Sequence, residues 1–126
     1  GTVAGVLSDY KETGDVVVFN VKNPAPKKIT DVNGDVLEGR KLGDVEEIWY
    51  DSVGGFKVQG WIVKPPDFDP NKKYPLMLYI HGGPHSMYGV GFNFEFQNHA
   101  AEGYVVLYTN PRGSTGYGKT FGNAIN

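Results

Sequence analysis

From residue 2 to about residue 43, apolar positions come in short β-branched runs, 3–7 and 16–21, separated by a polar stretch at 9–15 with Gly14 near its end. Such runs predict a β-hairpin with a longer loop. Pro24 and Pro26 lack the N–H that a central ladder requires, so 24–26 reads as a loop. Residues 28–30 and 36–37 read as further short strands about Asn33-Gly34, a strong turn dipeptide, and no helix is predicted here. Runs at 45–52 and 56–64 bracket Val53-Gly54-Gly55 and predict a second hairpin whose glycines supply positive φ. In its second arm Phe56, Val58, Gly60 and Ile62 share the face expected to be core, and Lys57, Gln59, Trp61 and Val63 share the other. Pro65-Pro66 ends that arm, and 67–74 is a polar connector.

The pattern then changes. Residues 75–80 form an unbroken apolar run that feeds into Gly82-Gly83-Pro84. A run without polar alternation predicts a strand buried on both faces, as in a parallel sheet flanked by helices. Residues 86–92 are glycine-rich and irregular, whereas Phe92, Phe96 and Ala100 fall at helical spacing and predict a helix over 94–102 that Gly103 ends. A second apolar run, 104–109, completes a βαβ unit with parallel strands. Residues 110–118 read as a loop, and 117–125 as the start of another helix. The fold class is therefore α/β preceded by antiparallel strands, with a boundary near Gly43 or Asp44 that divides the chain into 1–43 and 44–126.

Composition narrows the partners. The chain has 126 residues, a net charge of −2 and a pI near 5.9, so nothing draws it to nucleic acid or to an anionic membrane. There is no cysteine, which removes disulfides and thiolate chemistry and favours a reducing compartment, the cytoplasm. Neither a signal peptide nor a membrane-length apolar run is present. The chain begins without methionine and stops at Ile125-Asn126 without a helix C-cap, so both ends read as cut from a longer protein.

The Gly-Gly-Pro turn sits at the C-terminal end of a strand, the edge where ligands gather in open α/β sheets. Its two readings are a glycine-bearing turn, or a loop whose Gly83 N–H donates to an oxyanion. His81 and His85 have a spacing that suits metal ligands only on a helix, which the intervening glycines and proline forbid, so no metal or cofactor is expected. His81 reads as a loop-holding hydrogen bonder. The glycines of 110–118 fit neither a phosphate-binding loop nor a dinucleotide fingerprint, and Ser114 is no nucleophile elbow because Arg112 replaces the required glycine. Arg112 reads as a brace or a carboxylate partner, and Lys27-Lys28 and Glu46-Glu47 as solvated faces.

Four stretches in order carry a family resemblance: Glu46-Glu47-Ile48-Trp49-Tyr50, Gly60-Trp61-Ile62-Val63-Lys64-Pro65, Tyr79-Ile80-His81-Gly82-Gly83-Pro84-His85, and Asn110-Pro111-Arg112-Gly113-Ser114-Thr115-Gly116-Tyr117-Gly118. From about Asp44 onward the chain resembles the prolyl oligopeptidase family of serine peptidases, in the branch of acylaminoacyl-peptidases and dipeptidyl aminopeptidases. The resemblance implies the start of an α/β-hydrolase sheet, preceded in 1–43 by the last strands of a β-propeller. It also implies a peptide substrate and no cofactor. Gly83 would be an oxyanion donor, His81, Gly82 and Pro84 would shape its loop, and Arg112 and Tyr117 would support it from a neighbouring loop. Ser86 stands where many relatives have glycine, and Gly54 where the hairpin often has aspartate. No Gly-x-Ser-x-Gly occurs, so the triad is expected outside this chain and the chain alone is expected to be inactive. An esterase or lipase of the same superfamily and a non-catalytic β-rich binding module are the alternatives. An open edge on the parallel sheet predicts self-association.

Overall fold

Strands β1 (Thr2–Leu7) and β2 (Asp15–Asn20) pair antiparallel from Thr2↔Asn20 to Leu7↔Asp15, the hairpin expected from the two β-branched runs. The computed structural model describes residues 1–125. It divides into two compact units, Gly1–Lys41 with Val90–Phe94, and Leu42–Gly89 with the chain from Glu95 onward.

In the first unit the expected loop at 24–26 is a third strand, β3 (Asn23–Lys28), antiparallel to β2 with an irregular register between Val18 and Asn20. The order β1-β2-β3 puts β3 at an edge, and an edge strand tolerates prolines that a central one would not. The strand expected at 36–37 is instead a helical turn, α1 (Gly34–Leu37). Both outer strands are exposed along their length. What aligns this unit is the buried carboxylate of Asp15, which accepts from Thr30 Oγ1 (2.7 Å) and from the Val32 N–H (3.0 Å) and pairs with Lys28 Nζ (2.9 Å). Lys28 is thus an ion-pair partner of the buried Asp15 as well as part of an exposed strand.

The second unit is a mixed sheet of order β4-β5-β7-β6. Strands β4 (Val45–Asp51) and β5 (Lys57–Val63) form the expected second hairpin, and both Gly54 (φ 79°) and Gly55 (φ 78°) take the positive φ that its turn requires. Strand β6 (Leu76–Ile80), helix α2 (Phe94–Ala101) and strand β7 (Val105–Asn110) make the βαβ unit, with β6 parallel to β7 in the register Tyr79↔Tyr108. Strand β7 also pairs antiparallel with β5, Trp61 facing Tyr108, so the hairpin and the βαβ unit share one sheet. The chain's last helix is shorter than expected, a single turn, α3 (Lys119–Gly122).

Burial goes beyond one expectation here and falls short of another. Both faces of β5 are covered: Val58 (3 % exposed) and Gly60 are buried on the face expected to be core, and Trp61 (1 %) and Val63 (1 %) on the opposite face, which was not. The reason is α2: its Phe96 packs on Tyr108 (ring centroids 4.6 Å apart), which stacks on Trp61 (5.1 Å), so the crossover helix covers the side where the largest ring lies. Secondly, β6 is not buried on both faces. Tyr79 meets Phe96 (4.7 Å), but Leu76, Leu78 and Ile80 are 60 %, 54 % and 63 % exposed, because β6 is an edge strand whose other face has no cover among the described residues.

The helix is tied to the start of the unit by a side-chain amide. Gln97 accepts the Gly43 N–H (2.7 Å) and donates to the Gly43 carbonyl (3.1 Å), both residues being buried. Glu46 pairs with Lys64 Nζ (2.5 Å), and Glu47 accepts from Trp49 Nε1 (2.7 Å) and Gln59 Nε2 (2.9 Å), so the Glu46-Glu47 pair braces the hairpin where a merely solvated face was expected.

Candidate active site

Parallel neighbours β6 and β7 end side by side, and each gives way to a glycine-bearing loop, so residues 81–88 and 111–118 issue from the same sheet edge. Hydrogen bonds stitch the two loops together. The Ser114 hydroxyl, completely buried, donates to the Pro111 carbonyl (2.6 Å), leaving its oxygen to accept from His81 Nε2–H (2.8 Å). His85 Nδ1–H donates to the Gly113 carbonyl (3.0 Å), and the Thr115 N–H donates to Ser86 O (2.9 Å). At the far end of the first loop, the Asn110 side chain holds the main chain of Tyr88.

His81 Nδ1 lies 3.1 Å from the Gly82 carbonyl oxygen. Both ring nitrogens therefore face oxygens of the loops themselves. His85 is engaged in the same way on Nδ1.

Gly83 stands at the exposed tip, with φ of 134° and a cis peptide to Pro84. That φ belongs to glycine, and a Cβ here would meet the His85 nitrogen at 3.1 Å. The Gly83 N–H has no hydrogen-bond acceptor among the described residues. A backbone donor held exposed and unspent beside a rigid loop pair can serve an incoming oxyanion. Gly82 and Pro84 flank it, both exposed.

Of the residues assigned to the neighbouring loop, Tyr117 is joined to the site. Its ring packs on Trp49 (6.2 Å) and Phe121 (4.9 Å), and its hydroxyl accepts from Asn110 Nδ2 (2.6 Å) and donates to Gln59 Oε1. Burial pushes the Tyr117 and Tyr88 hydroxyls above the usual phenol range, so both remain protonated at neutral pH. Arg112 has no carboxylate partner among the described residues, and its guanidinium lies over the Phe56 ring, 6.0 Å from the centroid. Sequence reasoning passed over Asn110, Ser114, His85 and Gln59 as parts of this assembly. The available signal was the placement of small polar residues directly after an apolar strand.

A polar pocket of about 170 Å³ in the first unit is lined by Glu12, Thr13, Asp15, Lys28 and Asn33 among others. Its charges are spent on one another, Lys28 on Asp15 (2.9 Å), Glu12 (3.4 Å) and Asp31 (3.7 Å). The stitched loops are the better candidate.

A mixed sheet with a βαβ unit, antiparallel strands ahead of it and a glycine loop at the C-terminal strand edge defines an α/β-hydrolase type of segment. Residues 90–126 match the Prolyl oligopeptidase family, so the resemblance carried by the motifs holds. The chain is 46 % identical over 99 residues to "Uncharacterized peptidase YuxL" of Bacillus subtilis (strain 168), covering 79 % of this chain and 15 % of the relative. It is 43 % identical over 91 residues to "Probable dipeptidyl-peptidase 5" of Aspergillus niger, covering 71 % and 12 %. Among solved structures, the acylaminoacyl peptidase of Pyrococcus horikoshii superposes with a TM-score of 0.82 at 28 % identity, over 95 % of this chain and 19 % of that one. The chain thus spans about a sixth of the length of these relatives.

Proposed function

We propose that this chain is the part of a serine peptidase that contributes one oxyanion donor, the Gly83 N–H, to the hydrolysis of short peptides. Residues 1–43 belong, in this reading, to the end of a β-propeller, and 44–126 to the start of the catalytic domain. The observation that carries it is the exposed Gly83 N–H, without an acceptor among the described residues, at a strand edge whose two loops are bonded to each other. The family match and the peptidase relatives support the chemistry.

In the complete enzyme a serine hydroxyl attacks the peptide carbonyl, a histidine takes its proton, and the oxygen that gains the negative charge receives the Gly83 N–H. No Gly-x-Ser-x-Gly lies in residues 1–126, so by itself the chain supplies the donor and not the nucleophile, and it turns nothing over. The substrate partner is a peptide. A reducing compartment, the cytoplasm, is part of this reading and is supported by the cysteine-free sequence. Taken alone, the chain self-associates through the edge of β6, where unpaired backbone adjoins the exposed Leu76, Leu78 and Ile80.

The test removes one hydrogen-bond donor. Proline cannot adopt the φ of Gly83, so Gly83→Pro would distort the loop as well as delete the donor. Replacing the Gly82–Gly83 amide by an ester through protein ligation in the complete enzyme exchanges the N–H for an oxygen and alters no side chain. Turnover of a peptidyl p-nitroanilide should fall about 10²–10³-fold. Unchanged turnover in the folded ester variant would end the assignment.

A further inference from the structure

Asn110 closes β7 with its side chain fully buried. Its amide does for Tyr88 what a neighbouring strand would do: Oδ1 accepts the Tyr88 N–H (2.7 Å) and Nδ2 donates to the Tyr88 carbonyl (3.0 Å). The second Nδ2 hydrogen goes to the Tyr117 hydroxyl (2.6 Å), whose own proton goes to Gln59 Oε1. Gln59 lies on β5 directly across the ladder from Asn110. A continuous line of hydrogen bonds thus runs from a central strand through the side chains of Gln59, Tyr117 and Asn110 into the main chain of the loop that bears Gly83.

The loop is pinned at its other end by His81 to Ser114. Between the pins, residues 82–87 are exposed. Within that span His85 is tied to the Gly113 carbonyl and the Ser86 carbonyl to the Thr115 N–H, so the direction of the Gly83 N–H is set by these ties together with the two pins that hold the loop's ends.

We infer that Asn110 is a positioning residue for the oxyanion donor, acting on Gly83 through Tyr88 with Tyr117 and Gln59 fixing its amide. This rests on the peptidase reading above. A displacement of about 1 Å at a reacting centre can cost about 10²-fold in rate, so a clamp that touches no substrate still governs turnover.

Asn110→Asp in the complete peptidase keeps the size of the side chain and removes both Nδ2 donations. The probes are a peptidyl p-nitroanilide and a peptide aldehyde. The aldehyde takes the serine O–H across its C=O to give a hemiacetal whose oxygen also needs the Gly83 N–H. We expect kcat to fall about 10–100-fold, the aldehyde Ki to rise by a similar factor, and KM to stay within about 3-fold. Tyr117→Phe, which deletes one hydroxyl, should give a smaller loss of the same kind and decides the matter if Asn110→Asp does not fold. Wild-type kcat in a folded variant, or a loss confined to KM and the thermal midpoint, would overturn the inference while leaving the peptidase reading intact. A wild-type enzyme that neither hydrolyses the anilide nor binds the aldehyde would remove both.

Discussion

The two units hold their sheets by opposite means. In the second, rings do it: Phe96, Tyr108 and Trp61 pack in succession across α2, β7 and β5, and Val63, Val106 and Ala100 are almost wholly buried beside them. In the first, β1 and β3 lie open, Val17 is the one buried apolar side chain of β2, and a carboxylate occupies the alignment point. Asp15 gathers Thr30, Val32 and Lys28 from the strand end and the segment after it. Where a unit has little apolar surface to cover, a directional polar anchor can define the register that packing defines elsewhere.

The sharpest way to break the contrast is Trp61→Ala, which should cost about 3–5 kcal/mol in urea unfolding of the second unit because it empties a stacked, closed position. Trp61→Phe should recover most of that loss. The Trp61 indole N–H has no partner among the described residues, so its removal sacrifices no hydrogen bond.

A pH titration probes the first unit. The hydrogen bond from Thr30, then those from Lys28 and the Val32 N–H, lower the Asp15 pKa from 3.8 to about 2. A depressed carboxylate stabilises the folded form fully above its unfolded value, and that stability is lost as pH falls from about 4 through about 2. Amide exchange at Val16 and Val32 should accelerate over that window relative to the intrinsic rate and should lose this pH dependence in Asp15→Asn. Exchange at Trp61 and Tyr108 should not follow it.

The smallest effect on stability is expected at the open face of β6. Leu78→Lys should change unfolding by no more than about 0.5 kcal/mol, since Leu78 is 54 % exposed. The same change should lower the apparent mass of the isolated chain in light scattering, and an unaltered mass would count against self-association through this edge.

Local pattern reveals elements better than neighbours. The hairpins, the βαβ unit and the loop at Gly83 were legible because β-branched runs, helical spacing and glycine pairs are properties of short stretches. Strand β6 was misjudged because an unbroken apolar run does not encode whether a strand is central or at an edge. That the second face of β5 is covered as well was missed for a related reason, since it depends on where α2 crosses. The 24–26 segment shows the converse: proline excludes the middle of a sheet and leaves its border open. The Asn110 clamp joins residues 22 positions apart, and nothing local to either end announces it.

The clamp also has a chemical age. Asparagine ordinarily deamidates when the backbone nitrogen of the next residue attacks its side-chain amide carbon and closes a succinimide ring. The residue after Asn110 is Pro111, whose nitrogen carries no hydrogen and is already tied into a ring, so that route is shut. Asn33 precedes Gly34, where no side chain hinders the same closure. Asn33 is therefore the position where elapsed time leaves its mark first, and the amide that holds the Gly83 loop is spared.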